Sequence, residues 1–228
     1  MPAARTLHSL QTSPVRLTAD RCCIPSIHTY QVLDSLCRTI LSQNTTDKTS
    51  AVAFAQLKRA FPTWRAVLES EDAPLEDSIR CGGLAAIKIA RIKTILRWIL
   101  ENRAEHCPRG EPSLEYLRAL PTPDVKQELS HFKGVGPKTI ACVLMFTLRR
   151  AEFPVDTHVW RITKEQLKWA PPSASREAAY AHLNATIPDH LKHDLHVLLV
   201  LHGKTCARCA SRKISSSFTC PLPKKSSN

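Results

Sequence analysis

The 228-residue sequence carries 32 Lys and Arg against 20 Asp and Glu, a formal net charge of +12, with 43% apolar and 23% charged residues. That usage excludes wholesale disorder and a fibre, and the length allows one to two domains. The longest nearly apolar runs, residues 140–148 and 195–201, fall far short of the ~20 residues a membrane helix needs. Six Gly and three Tyr do not supply the turns and aromatics of a β-sandwich.

A sequence pI near 9.5 without one long basic block describes a cationic folded surface suited to a polyanion. Nine cysteines, scattered from Cys22 to Cys220 with no apolar leader before them, fit a reducing compartment better than a disulfide framework. Residues 1–29 are expected to be a flexible N-terminal segment. Its first 21 residues, with Arg5, Arg16 and Arg21, leave a weak organelle-targeting peptide as the alternative to a plain tail.

Beyond residue 29 the apolar pattern is helical almost throughout. Val32, Leu33, Leu36, Ile40 and Leu41 recur at helical spacing. Residues 47–60 read as a helix that buries Val52 and Leu57 and ends at Pro62. A longer stripe runs through Ile89, Ile92, Ile95, Leu96 and Ile99. Short helices are expected at 114–120 and at 123–131, the second with Thr122 as N-cap and Pro123 in first position. Ile140, Val143, Leu144, Thr147 and Leu148 form one further stripe, and helices follow near 157–167, 176–186 and 190–202. No segment alternates long enough to be a strand, so the expected fold class is all-α. Pro171-Pro172-Ser173 marks a connection, and residues 223–228 read as a tail.

The most informative stretch is Phe132-Lys133-Gly134-Val135-Gly136-Pro137-Lys138-Thr139. Two glycines around one apolar residue allow a tight hairpin between helices and a close approach by a foreign backbone. The N–H groups opening the second helix then make an anion site for one DNA phosphate. Such a contact positions a duplex without reading its bases. Lys138 sits where the helix dipole favours an acid, so the field disfavours its ammonium form. At an ordinary pKa of about 10.4 only about one lysine in 2,500 is neutral at pH 7. At ~7–8 the neutral fraction becomes about a tenth to a half, enough for a nucleophile. On local sequence, a phosphate-binding lysine and a nucleophile are equally good readings. Asp156, in Pro154-Val155-Asp156-Thr157-His158, stands just before a helix. It is either an N-cap or a carboxylate that activates a nucleophile and stabilises a cationic sugar.

Together these segments resemble the helix-hairpin-helix (HhH-GPD) DNA glycosylases of the endonuclease III type. The likeness runs from about residue 30 to 205 and takes in Leu41-Ser42-Gln43-Asn44-Thr45-Thr46-Asp47, Gly82-Gly83-Leu84 and residues 198–203. It implies two helical lobes with DNA crossing a cleft between them. Residues 44–150 would form the barrel with the hairpin, and 30–43 with 151–222 a discontinuous second lobe. It also implies Lys138 as catalytic lysine and Asp156 as catalytic aspartate. Gly134, Val135, Gly136 and Thr139 would touch DNA, Gln43 would fill the gap left by a flipped nucleotide, and Leu84 would wedge against the opposite strand.

The implied activity is excision of an oxidised pyrimidine from double-stranded DNA, coupled to abasic-site cleavage by β-elimination. The alternatives are another base, mispaired thymine or 5-methylcytosine, or a non-catalytic helix-hairpin-helix DNA-binding protein. A monomer is expected. Basic charge and Lys224–Lys225 suggest the nucleus, with an organelle as the alternative.

One departure stands out. Many relatives carry C-x6-C-x2-C-x5-C near the end, holding a 4Fe-4S cluster. Here the region is Cys206-x2-Cys209-x10-Cys220, wrong in count and spacing, so the cluster is doubtful. No metal is the first expectation; a fourth ligand would have to come from His202 or a distant cysteine, and zinc held by three Cys and one His is chemically reasonable. His190, His193 and His196 recur every three residues, but Leu191, Leu195 and Leu198 beside them suggest ordinary packing.

Overall fold

The structure, a computed structural model, describes residues 31–210 and 219–222. Among them every regular element is helical and there is no strand. The described chain divides into two compact units, one ending at Arg150 and one beginning at Ala151. Residues 1–29 and 223–228, with the expected flexible segment, targeting peptide and Lys224–Lys225, lie outside the described residues.

In the first unit, helix α1 (Val32–Leu41) buries six side chains, Val32, Leu33, Leu36, Cys37, Ile40 and Leu41. All six join the core that contains Leu57, Ile92 and Leu144, and the Val32 N–H donates to Glu115 Oε1 at 2.6 Å. This corrects the expected grouping of residues 30–43 with 151–222. The apolar face of α1 is already satisfied within the first unit.

Helix α2 (Asp47–Ala60) starts at Thr46, whose hydroxyl accepts from the Thr49 N–H at 3.1 Å. It buries Ser50, Ala53 and Leu57, at the three- and four-residue spacing of one helical face. Val52 points off that face and is 45% exposed, contrary to expectation. Helices α3 (Trp64–Glu69) and α4 (Asp72–Ile79) were not read from the sequence. They are short, and α3 has Thr63 as its N-cap, whose hydroxyl accepts from the Ala66 N–H at 3.0 Å, while Glu111 accepts from the Trp64 and Arg65 N–H groups at 2.6 and 3.2 Å.

Helix α5 (Ala85–Asn102) buries the whole Ile89–Ile99 stripe. The segment expected as a helix at 114–120 is a 3-10 turn at Glu115–Arg118. Helix α6 (Thr122–Ser130) has Pro121 at its N-cap, so Thr122 lies inside the helix and makes no side-chain cap. Helix α7 (Pro137–Cys142) runs on into a π-helical turn, Val143–Thr147.

In the second unit, helix α8 (Thr157–Arg161) likewise continues as a π-helical turn at Ile162–Gln166. It is followed by α9 (Arg176–Thr186) and α10 (Asp189–Thr205). Their core is Phe153, Val155, Val159, Ile162, Ala179, Leu183, Ile187 and Leu199, extended by Cys206, Cys209 and Leu222. A Cβ at Gly203 would lie 2.7 Å from the His158 Cβ, so only glycine lets α10 approach α8 this closely.

His196 packs as expected. It is buried, its Nδ1 is 2.8 Å from the Pro154 carbonyl, and its ring meets Phe153 edge-on. Leu199, not the 43% exposed Leu198, supplies the neighbouring core contact.

Candidate functional site

The hairpin joins α6 to α7 across residues 131–136. Gly134 has φ +85°, and a Cβ there would lie 2.9 Å from Arg91 Nε. Position 134 therefore excludes side chains twice, by backbone conformation and by contact. The Val135 N–H donates to the Phe132 carbonyl at 3.0 Å, and its side chain is 6% exposed. Val135 is thus an anchor of the turn, with its N–H and side chain both engaged within the chain. Gly136, the N-cap of α7, is exposed and has open space where a Cβ would stand.

Lys138 is exposed in the first turn of α7, which carries no acidic residue. Thr139 is only 5% exposed. Its side chain is buried, so what it shows at the start of α7 is its backbone. Lys133 is exposed on the other side of the turn. The hairpin therefore shows backbone and two lysines outward, with apolar anchors beneath.

Gln43, just past the end of α1, supports this hairpin. Its Nε2 donates to the Gly134 carbonyl at 3.0 Å, while its Oε1 accepts from Arg91 Nη1 at 2.8 Å. Both ends of the amide are engaged, so it acts here as a strut and not as a projecting probe. Arg91, on α5, thus packs beneath Gly134 and holds Gln43. Sequence reasoning missed it, although a cation one turn from the apolar stripe was the available signal.

Lys88 was missed as well. Its side chain is buried and Nζ donates to the carbonyls of Leu41 and Gly82, both at 2.9 Å. Burial lowers its pKa. It ties the end of α1 to the turn before α5, and that turn carries Leu84. Leu84 is 50% exposed and holds a left-handed φ of +54°, a conformation that is unfavourable for a branched apolar residue. Strain of this kind collects at functional positions.

In the second unit, Asp156 is the N-cap of α8. Its Oδ1 accepts from the His158 and Val159 N–H groups at 2.9 and 2.8 Å. The capping role read from sequence is real. It uses one carboxylate oxygen and the side chain stays partly exposed.

At the end of α10, His202, Cys206, Cys209 and Cys220 bring one donor atom each within 4.8 Å of one another. Burial and the Arg208 charge lower the His202 pKa, which favours the neutral ring. Burial works to raise the Cys206 thiol, but backbone N–H groups of Cys209 and Arg208 and the Cys220 side chain outweigh it and pull it down. Burial and the neighbouring Cys220 push Cys209 up to about 12. The family's 4Fe-4S cluster does not fit these residues. A cubane spreads four thiolates over four separate irons, whereas here three sulfurs and a nitrogen close around a single point.

The profile of the HhH-GPD superfamily, base excision DNA repair proteins, matches residues 37–189. The chain belongs to that superfamily. It is 52% identical over 197 residues to a provisionally named DNA glycosylase of Arabidopsis thaliana, a match covering 84% of this chain and 65% of that protein. The chain thus spans less than two thirds of that relative's length. It is 29% identical over 188 residues to endonuclease III of Sulfolobus acidocaldarius, covering 81% of this chain and 77% of that one. Among solved structures, a non-covalent endonuclease III–DNA complex is similar with a TM-score of 0.66 at 22% identity, over 84% of this chain and 79% of that one. At that identity the likeness shows the shared helical fold.

Proposed function

We propose that this chain is a base-excision DNA glycosylase with abasic-site lyase activity, acting on oxidised pyrimidines in duplex DNA. The observation that carries the reading is Lys138, an exposed amine in the first turn after an HhH hairpin, within the region that matches the family. Its exposure keeps the amine accessible to DNA, and Asp156, which also caps α8, uses only Oδ1 in that cap.

In this reading the backbone around Gly134 and Gly136 takes one phosphate, with Lys133 adding charge. Leu84 props open the stack, which makes it easier to rotate the damaged base out at a cost of a few kcal/mol. Neutral Lys138 attacks the sugar C1′ while the C1′–N bond breaks and the base leaves with the electron pair. Asp156 stabilises the positive charge that develops on the sugar. Loss of a proton from the Lys138 nitrogen, with opening of the sugar ring, gives a Schiff base. Removal of a C2′ proton then expels the 3′ phosphate and cuts the strand. Gln43 holds the hairpin in place for these steps.

A panel of duplexes, each with one lesion, tests the substrate class. Base release and strand cleavage should be greatest with oxidised pyrimidines. Preference for mispaired thymine or 5-methylcytosine would reassign the substrate within the family, and binding without base release would end the enzyme reading.

A further inference from the structure

The four donors at the end of α10 carry more than a disagreement with the family's cluster. Cys209 Sγ and Cys220 Sγ stand 3.7 Å apart, and Cys220 Sγ is 3.4 Å from His202 Nε2. Zinc bonds of about 2.3 Å to sulfur and about 2.0–2.1 Å to nitrogen, set tetrahedrally, put ligand atoms about 3.5–3.8 Å apart. These two separations are close to those around a single tetrahedral ion, and all four donor atoms lie within 4.8 Å of one another. All three cysteines are free thiols, and Cys206 and Cys209 are buried.

The surroundings fit a charged thiolate centre. Three thiolates around a divalent ion leave one negative charge. Arg208 Nη2 approaches Cys220 Sγ at 2.9 Å and also reaches the Leu222 carbonyl. Arg161 fixes the Cys209 carbonyl. The Cys209 and Ala210 N–H groups return to the Cys206 carbonyl at 3.1 and 2.8 Å, closing the C-x2-C turn tightly. Such outer contacts orient ligands and offset their charge.

The geometry points to a structural zinc site, Cys206, Cys209, Cys220 and His202 around one Zn(II), in place of a 4Fe-4S cluster. Four protein ligands leave no open position, so the ion is structural and not catalytic. It ties Cys220, eleven residues past Cys209, to the end of α10. Binding deprotonates the thiols and releases their protons to solvent as three Zn–S bonds form.

The test is metal analysis of the full-length protein from cells grown with both zinc and iron. The expected result is one zinc per chain, no inorganic sulfide, and an X-ray absorption first shell of three sulfurs and one nitrogen. Two variants keep the test independent of folding. His202→Cys should retain zinc and change that shell to four sulfurs, and Arg208→Gln, with all ligands intact, should weaken zinc by about 10–100-fold. Iron with inorganic sulfide, a metal-free chain, or a Cys209–Cys220 disulfide would overturn the proposal. So would an unchanged first shell in His202→Cys.

Discussion

The Gln43 side chain donates to the Gly134 carbonyl at 3.0 Å, spanning 91 residues of sequence to hold the hairpin from below. With Arg91 on the other end of the same amide, the turn is braced before any ligand arrives. Gly134→Ala should therefore act on both fold and binding. The left-handed backbone costs about 1–2 kcal/mol with a Cβ present, and Arg91 must move. Loss of about 1.4 kcal/mol of binding is tenfold in affinity, to be read by titrating an abasic-site duplex. Gln43→Ala should weaken binding in the same direction while leaving the α1 core intact.

Leu84 separates stability from function. Leu84→Gly relieves the left-handed strain and should stabilise the fold by up to about 1 kcal/mol. It should also lose the apolar wedge and slow base release about tenfold, about 1.4 kcal/mol. Denaturation midpoints and single-turnover rates check the two halves; a variant that is more stable and equally active would remove the wedge.

Asp156 can be split in the same way. Asn caps helices as well as Asp does, so Asp156→Asn should stay within about 0.5 kcal/mol of the parent, whereas Asp156→Ala should lose about 1 kcal/mol. Both should lose base release by at least about 100-fold if the carboxylate charge serves the chemistry. Activity that follows stability across the pair would make Asp156 a cap alone.

Glu128 gives the fold a pH dependence. It is buried and accepts from Arg103 Nε at 2.6 Å, Arg103 Nη2 at 2.9 Å and the Tyr116 hydroxyl at 2.5 Å. Burial alone would raise its pKa; the Arg103 and Tyr116 bonds outweigh that and pull it below the ordinary value. A depressed folded pKa adds stability above the unfolded value of about 4.3, and that stability fades as pH falls through the folded pKa. Urea midpoints should drop below about pH 4 in the parent. Glu128→Gln should flatten that drop and cost roughly 2 kcal/mol at neutral pH, at the low side for a broken buried pair because Arg103 is partly exposed.

The all-helical class, the Ile89–Ile99 stripe and the bounds of α2 and α9 were legible because long periodic faces report burial directly. Helices α3 and α4 were not, since six to eight residues hold too few turns to show a period, even though Thr63 caps α3 locally. The hairpin, Lys138 and Asp156 stood out by residue type and order. What lay beyond reach was the direction of side chains within the motif. Periodicity did not tell that Thr139 and Val135 turn inward while Lys138 stays outside, nor that Gln43 is held at both ends. For the three late cysteines the sequence left His202 or a distant cysteine as a fourth partner, and only the folded chain brings the His202 nitrogen to 3.4 Å from Cys220 Sγ.

The account stands most directly on covalent capture of Lys138. Borohydride reduction during reaction with a duplex carrying one oxidised pyrimidine should yield a protein–DNA adduct from the parent, with the crosslink mapping to residue 138, and none from Lys138→Gln. An adduct that persists in Lys138→Gln, or a parent that releases the base without ever being trapped, would contradict the proposed nucleophile.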